Sequence, residues 1–318
     1  MMMGGSSDNR YNGSVDLAEF GGPPVKGEFV LGYQGGSDYW LTRVTIGLGE
    51  EGIPLAPPIP INLYAIRGGL GYHMALDSFK SQDSIANAPT DMGNDLMFMA
   101  GLRIGSSDKF TFVMDGDLTI ATGAHAGARM DFHSWLLKHE QNGDGDFQGY
   151  FQYASGNFDG ELWGKLELLD GVASIEAPKG AVSMHFGDGP WHIYFGKKEG
   201  PRIKGKLYFI SADSYVMIGQ VEGIAIGGSE HIDLEAGGDF ASAYIKADID
   251  MGLQVTPQPH IIGDFSADCE AGACVEGVCV SMGASASLHG EALPIDLDGS
   301  ASLDLPWPIP DVTIHVHL

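Results

Sequence analysis

The chain has 318 residues and a formal net charge of −25, because 42 Asp and Glu residues face only 17 Lys and Arg residues. So acidic a chain lacks the positive surface that phosphate binding needs, which argues against a nucleic-acid partner and against attraction to anionic membranes. The apolar content of 44% is still enough to bury a sizeable core.

The N-terminus, residues 1–14, is polar and is predicted to be disordered. No apolar run in the chain approaches eighteen residues, so the sequence predicts no transmembrane helix.

Strand-like runs fill residues 15–75 and, almost without interruption, residues 109–218. Asn-Gly, Asp-Gly and Lys-Gly pairs separate many of the later runs, and such pairs are typical of hairpin turns. Only residues 73–80 and 128–138 could form short helices. We therefore predict a mainly β protein with at most two short helices, an antiparallel meander that forms a sandwich, a barrel-like sheet or an open groove-like sheet.

Apolar and polar side chains alternate within individual runs. Between Gly160 and Leu168 the leucines share one face of the predicted strand, and Glu161 and Lys165 share the other. Such alternation indicates an antiparallel sheet with one dry and one wet face, and we expect the core to lie against the dry face.

The composition changes near residue 220, where aromatic residues become rare and Gly, Ala, Ser and Asp dominate. We predict a main antiparallel β domain over residues 15–220, followed by a Gly/Ala/Asp-rich acidic β region over residues 221–318. From residue 207 onward, 17 acidic residues and one basic residue, Lys246, give this part a charge of −16.

Three cysteines lie close together in the second region: Cys269, Cys274 and Cys279. On one continuous strand Cys269 and Cys279 would share a face and Cys274 would lie on the other. The sequence leaves three interpretations open: small buried hydrophobic residues, a hairpin disulfide that leaves one thiol free, and a metal site.

One segment resembles the first half of a calcium-binding loop, with oxygen-bearing side chains at alternate positions and Gly145 at the sixth. Its twelfth position is Phe151, where a Glu is expected, so the alternative is a polar hairpin turn. Calcium is thus the one candidate cofactor. The candidate ligands are Glu140, Asn142, Asp144 and Asp146.

Two weaker patterns could also bind cations. Asp115 and Asp117 flank Gly116 in a predicted turn, as oxygen ligands would. His315 and His317 share a strand face and could hold a metal with a third ligand, although an incidental pair is the alternative.

The only basic cluster comprises Lys197, Lys198, Arg202, Lys204 and Lys206. One interpretation is a solvated turn and edge strand, in which lysines block pairing with other chains. The other is an interaction surface that matches the acidic C-terminal region, within the chain or in a neighbouring subunit.

Aromatic residues on strand faces could stack on sugar rings, or they could pack in a core or interface. We single out Trp163 and Trp191 as candidate interaction residues, with Tyr39, Trp40 and Tyr194 as further members of the set. No nucleophile elbow, zinc-protease motif or phosphate loop is present in the sequence, so we predict that the protein is not an enzyme.

Three segments carry a resemblance to known proteins. They are Leu63-Tyr-Ala-Ile-Arg-Gly-Gly-Leu-Gly-Tyr-His-Met74, Gly189-Pro-Trp-His-Ile-Tyr-Phe-Gly196 and Lys206-Leu-Tyr-Phe-Ile-Ser-Ala-Asp-Ser-Tyr-Val-Met-Ile-Gly219. With its strand pattern, the chain resembles very large, β-rich, uncharacterised bacterial proteins of a surface or secreted type. The resemblance implies a structural role and brings no catalytic residues with it.

The sequence hypothesis is a non-enzymatic structural or assembly module, extracellular or at the cell surface, that acts through β-sheet and electrostatic contacts with itself or other protein subunits. The alternatives are a glycan-binding module that uses exposed strand aromatics and a β groove that binds a lipid or another hydrophobic ligand.

Overall fold

The computed structural model describes residues 9–17, 23–56, 59–79, 84–137, 145–169, 171–238, 241–258, 260–276, 278–292, 296–306 and 310–317. The protein is mainly β and its strands pair antiparallel, which confirms the predicted fold class. The strands are β1 (Asn9–Asp16), β2 (Val25–Gln34), β3 (Ser37–Gly47), β4 (Ile53–Ala56), β5 (Ile59–Tyr72), β6 (Asn94–Ser106), β7 (Phe112–Gly123), β8 (Gly127–Leu136), β9 (Phe147–Ala154), β10 (Asn157–Leu168), β11 (Ala173–Phe186), β12 (His192–Phe195), β13 (Ile203–Leu207), β14 (Ile210–Gly219), β15 (Gly223–Gly237), β16 (Ala241–Val255), β17 (Ile261–Val275), β18 (Val278–Ala292), β19 (Asp296–Asp304) and β20 (Val312–His317).

Helical structure in the described residues consists of two short 3-10 turns, Leu76–Phe79 and Ile85–Asn87. The first lies in the segment 73–80 that the sequence marks as a candidate helix. The second candidate, residues 128–138, is extended as far as Leu136, because β8 pairs with strands on both sides. Among the described residues, no helix is long and apolar enough to cross a membrane.

The chain divides into two compact units, Met1–Leu162 and Trp163–Leu318, and the division falls within β10. This differs from the boundary near residue 220, because β14 and β15, on either side of that point, form a ten-pair hairpin. The structure also differs from the disorder expected over residues 1–14. Residues 9–14 belong to β1, which pairs with β2 along its whole length.

In the first unit the pairing order is β1-β2-β3-β5-β6-β7-β8-β9, and β4 pairs with β5. The β2–β3 hairpin shows how the sequence sets the register. Gln34 pairs with Ser37 around a two-residue loop, and both loop residues, Gly35 and Gly36, have positive φ, at 61° and 94°. Glycine adopts that conformation without steric cost, and the primed turn it allows matches the twist of the strands.

In the second unit β11 pairs with both β12 and β13, and β14 pairs with the same two strands. From β14 to β20 each strand pairs with the next in chain order. β13 therefore has a partner on each side, and the edge-strand interpretation of the basic cluster does not apply to it.

The cysteines lie on the β17–β18 hairpin. Cys274 and Cys279 are opposite each other in the register and form a disulfide, while Cys269 is free and exposed. The interpretation as buried hydrophobic residues is wrong at Cys269. The chain reverses at Glu276, which has a φ of 50°, so the alternation of one continuous strand does not extend from Cys269 to Cys279.

The core of the first unit lies on one face of the sheet, under the segment that carries the two 3-10 turns. Phe79 and Ile85 from this segment pack with buried residues of the sheet such as Leu41 and Met97. Gly69 permits the contact, because a Cβ there would lie 2.5 Å from the Phe79 ring. The core is thus a sheet face covered by a loop.

We expect Phe79→Ala to lower the free energy of unfolding by about 3–5 kcal/mol, since it empties a fully buried site. Phe98→Ala, on the opposite face and 48% exposed, should cost only about 1 kcal/mol. Urea unfolding of the two variants measures the difference. Equal losses would show that the 3-10 segment does not organise the core.

Candidate functional site

The two faces of the first unit's sheet differ in charge, and the charged face is the buried one. Four arginines and four carboxylates on this polar face form a set of neighbouring ionic groups without net charge. They are Arg43, Arg67, Arg103, Arg129, Glu28, Asp115, Asp117 and Asp131. The expected burial of the dry face is therefore wrong for this unit.

These charges form ion pairs both across neighbouring strands and along a single strand. Arg43 and Glu28 are directly opposite on β3 and β2, and Arg43 Nη2 donates to Glu28 Oε2 at 2.6 Å. On β8, Arg129 donates to both carboxylate oxygens of Asp131 at 2.8 Å. Opposite charges in contact offset part of the cost of removing each from water.

Arg67 on β5 binds both aspartates of β7 and reaches across β6 to do so. Its Nη1 lies 3.0 Å from Asp115 Oδ1 and its Nε lies 2.8 Å from Asp117 Oδ1. Gly101 is the residue of β6 between Arg67 and Asp117 in the register. A Cβ at Gly101 would collide with the Asp117 carboxylate, so the ion pair requires glycine there.

The pKa of Asp117 is raised to about 6 by burial, against the opposing effect of Arg67. Asp115, the second fully buried carboxylate, adds to the rise. Asp117 Oδ2 has no hydrogen-bond partner among the described residues. The carboxylate is therefore only half satisfied by its arginine.

Asp115, Gly116 and Asp117 do not form the turn that the sequence suggests. β7 runs unbroken from Phe112 to Gly123, and both carboxylates are engaged with Arg67. The structure thus gives this pair a role in the ion network in place of the predicted calcium binding.

The opposite face of this sheet is uncharged. In the paired registers of β1–β3 and β5–β9, the outward residues carry no charge except Asp38, beside the β2–β3 turn. Asp95 lies in the irregular start of β6, outside the register. Many large apolar side chains on this face are exposed, among them Phe29, Leu31, Val44, Ile66, Leu70, Leu96, Phe98, Leu102, Leu118, Ile120 and Met130.

The second unit repeats the segregation from β14 to β20. One face of these strands is apolar, and among its described residues only Glu230 is charged. Its exposed members include Ile210, Ile226, Ile245, Met251, Leu253, Phe265, Val280, Met282, Leu288, Leu303, Ile314 and Val316. We call the apolar faces of the two units the uncharged faces.

The polar face of β17–β20 carries a row of alternating carboxylates and imidazoles. The register aligns Asp264, His289, Asp298 and His317 on four successive strands. His289 Nδ1 lies 2.6 Å from Asp264 Oδ1, and His317 Nδ1 lies 2.6 Å from Asp298 Oδ1. These hydrogen bonds to carboxylates raise the pKa of both histidines.

His317 has carboxylate neighbours that could serve as further metal ligands. Potential ligand atoms of Asp296, Asp298 and His317 lie within 4.8 Å of one another, all on exposed residues. His315 is two register positions away, opposite Ser300. The predicted histidine pair is thus replaced by one histidine and two aspartates.

Of the predicted calcium ligands, Glu140, Asn142 and Asp144 lie outside the described residues. Asp146 is buried, and its Oδ2 accepts a hydrogen bond from the Leu136 N–H at 2.6 Å. This contact ties the start of β9 to the end of β8.

Two members of the basic cluster contact acidic residues of the same unit. Arg202 Nη1 lies 2.8 Å from Asp213 Oδ1 and 3.6 Å from Asp250 Oδ2, and Lys198 Nζ lies 3.8 Å from Asp264 Oδ2. The remaining members are more peripheral: Lys197 lies over the Tyr194 ring, and Lys204 and Lys206 are exposed on β13. The charge match expected from sequence is therefore made within the chain for Lys198 and Arg202.

The aromatic residues do not form one stacking surface. Trp163 is half-buried beneath Lys179, while Trp191 is exposed and stacks on Phe186 with ring centroids 6.2 Å apart. Tyr39, expected to be exposed, is buried on the polar face because Gly32 opposite leaves room for its ring.

The alternation of apolar and polar residues is visible in the sequence, but the choice of the buried face is not. The signal was present in the placement of Arg43, Arg67, Asp115 and Asp117, all on the same face as the buried 3-10 segment. Their pairing depends on register across three strands, which the local pattern does not specify.

Comparison with known proteins finds no match: no family model, curated protein or solved structure is similar to this chain.

We expect Arg67→Met to lower the free energy of unfolding by about 3–5 kcal/mol, because it leaves two buried carboxylates without their shared cation. Lys165→Met, which breaks the exposed pair with Glu167, should change stability by less than about 1 kcal/mol. Chemical unfolding at neutral pH measures both. A mild Arg67 variant would mean that the network contributes little.

The raised pKa of Asp117 predicts a pH signature. The folded state holds this proton more tightly than the unfolded state, so the free energy of unfolding should fall as pH rises from 4 to 6. Asp117→Asn removes this contribution, and its stability relative to the wild type should therefore increase over that interval.

Asp108→Asn is the matched control for this measurement. The pKa of Asp108 is lowered by hydrogen bonds, the largest from Ser106, so its contribution is lost only below the ordinary carboxyl range. Its stability difference from the wild type should stay level between pH 4.5 and 7. A level difference for Asp117→Asn as well would contradict the assigned shift.

Proposed function

We propose that the protein is a non-enzymatic structural module of a bacterial surface or secreted assembly. Its working surfaces are the uncharged faces, each covered by an apolar counterpart. The observation that carries the proposal is the arrangement of the first unit, in which the buried ionic side chains lie on the covered face of the sheet while many large apolar side chains of the opposite face are exposed.

The size of the exposed apolar surface supports this role. Eight paired strands at a spacing of about 4.8 Å, each contributing about 27 Å of outward residues, give roughly 900 Å² of sheet in the first unit. The largest apolar patch on a typical soluble monomer is about 300–600 Å². A larger patch is typical of a surface that is covered when the protein works.

The ion pairs within the chain favour apolar rather than electrostatic contacts between the protein and its partner. Arg67 pairs with two carboxylates of its own face, and Arg202 and Lys198 contact acids of their own unit. These groups gain little from a charged partner, since they already have one. The buried carboxylates of Glu28, Asp115, Asp117 and Asp131 are likewise bound to arginines, which supports a structural rather than a catalytic role for them.

The disulfide between Cys274 and Cys279 supports a location outside the cytoplasm. Disulfides form and persist in oxidising compartments, while cytosolic thiols are generally kept reduced. Extracellular or cell-surface localisation therefore stays part of the proposal.

Adjacent residues of β18 provide a matched test. Leu288 lies on the uncharged face and Ser287 on the polar face, and both are exposed. In sedimentation with a non-ionic detergent, we expect the wild type to self-associate or to bind a large mass of detergent. Leu288→Lys should reduce this, because it places a charge in the apolar contact, and Ser287→Lys should leave it unchanged.

A wild-type protein that sediments as a detergent-free monomer at all concentrations would contradict the proposed function. Equal effects of the two lysine substitutions would also contradict it, because the effect would then not depend on the face.

A further inference from the structure

We infer that the apolar counterpart of the first unit's uncharged face is the hydrocarbon of a lipid layer. This inference rests on the proposed function and names the partner that covers the face. Three features of the described residues distinguish a lipid from a second protein surface.

The first feature is the near absence of charged groups that could fix a protein partner. A stable protein interface of about 800 Å² per side has a polar rim and about one hydrogen bond per 100–200 Å². Across β1–β3 and β5–β9, the outward register positions hold no charged side chain except Asp38. Hydrocarbon requires no such groups.

The second feature is that three threonine and serine hydroxyl groups on this face bind the sheet itself. Thr42 Oγ1 donates to Leu70 O at 3.3 Å, Thr122 Oγ1 donates to Leu96 O at 3.2 Å, and Ser134 Oγ donates to Phe147 O at 3.3 Å. Each hydroxyl therefore has a partner without water, as burial in an apolar medium demands.

The third feature is that the uncharged stretch has ends that match an apolar slab. On β6 the outward residues from Leu96 to Ile104 span about 27 Å, similar to the hydrocarbon thickness of a bilayer. Asp95 and Asp38 lie at one end of this stretch, since Trp40, Tyr72 and Leu96 are aligned in the register. Asp108 and Lys109 lie in the loop at the other end.

Vesicles of phosphatidylcholine, which carry no net charge, test the inference on the full-length protein. We expect the wild type, diluted from detergent, to float with the vesicles in a density gradient. Leu118→Lys should weaken flotation at least about tenfold, because Leu118 aligns with Ala100 at the middle of the uncharged stretch. Leu96→Lys, beside Asp95 at its end, should have a much smaller effect.

Tryptophan quenching keeps the test independent of the variants. Acyl chains brominated along their length should quench part of the wild-type fluorescence in the vesicles, because Trp40 lies on the uncharged face. Circular dichroism checks that each variant is folded. If the Leu118→Lys variant does not fold, the quenching of the wild-type fluorescence decides whether the face contacts lipid.

Two outcomes would overturn the inference and have different consequences for the proposed function. A wild-type oligomer of fixed mass that neither floats nor is quenched would make a second copy the counterpart and leave the proposed function intact. A monomer that neither floats nor self-associates would contradict both.

Discussion

The structure depends on confining ionic side chains to one face of an antiparallel sheet. Because successive residues of a strand point to opposite faces, a one-residue shift of register would move a whole set of charges to the other face. Arg67, Asp115 and Asp117 meet only in the observed register of β5, β6 and β7, with Gly101 between them. The ion network therefore forms only when these three strands pair in the correct register.

This confinement determines what each face can do. The buried ionic side chains on the polar face of the first unit pair with one another, and the 3-10 segment packs on this face, so it has little capacity for partners. The uncharged face has side chains that water solvates poorly and backbone groups already paired in the sheet. The proposed working surface is therefore the apolar side of the sheet, which in most soluble proteins would face the core.

The fold class could be predicted because its signals are local. Alternation and turn pairs identify strands and hairpins, and Gly35-Gly36 alone specifies a two-residue β2–β3 turn. The disulfide was one of the alternatives that the cysteine spacing left open. It could not be chosen from sequence because the turn at Glu276 interrupts an otherwise strand-like run.

The site could be predicted only in part because it depends on non-local pairing. Nothing near Arg67 in the sequence indicates a partner 48 or 50 residues away. The sequence around Tyr39 does not indicate that this residue is buried. The space for its ring is left by Gly32 on the neighbouring strand, and that placement depends on the register. The boundary expected near residue 220 rests on a change in composition. The compact units of the structure depend instead on which strands pair, and β14 and β15 pair across that point.

The central claim is that the uncharged faces work in contact with an apolar medium. Residue-resolved photolabelling tests it most directly, with one carbene precursor that dissolves in hydrocarbon and one that stays in water. The account predicts that the apolar probe labels β6 and β7 with a period of two, at Phe98, Leu102, Leu118 and Ile120, and that the aqueous probe spares these residues. Strong labelling of the same residues by the aqueous probe in the assembled protein would contradict it.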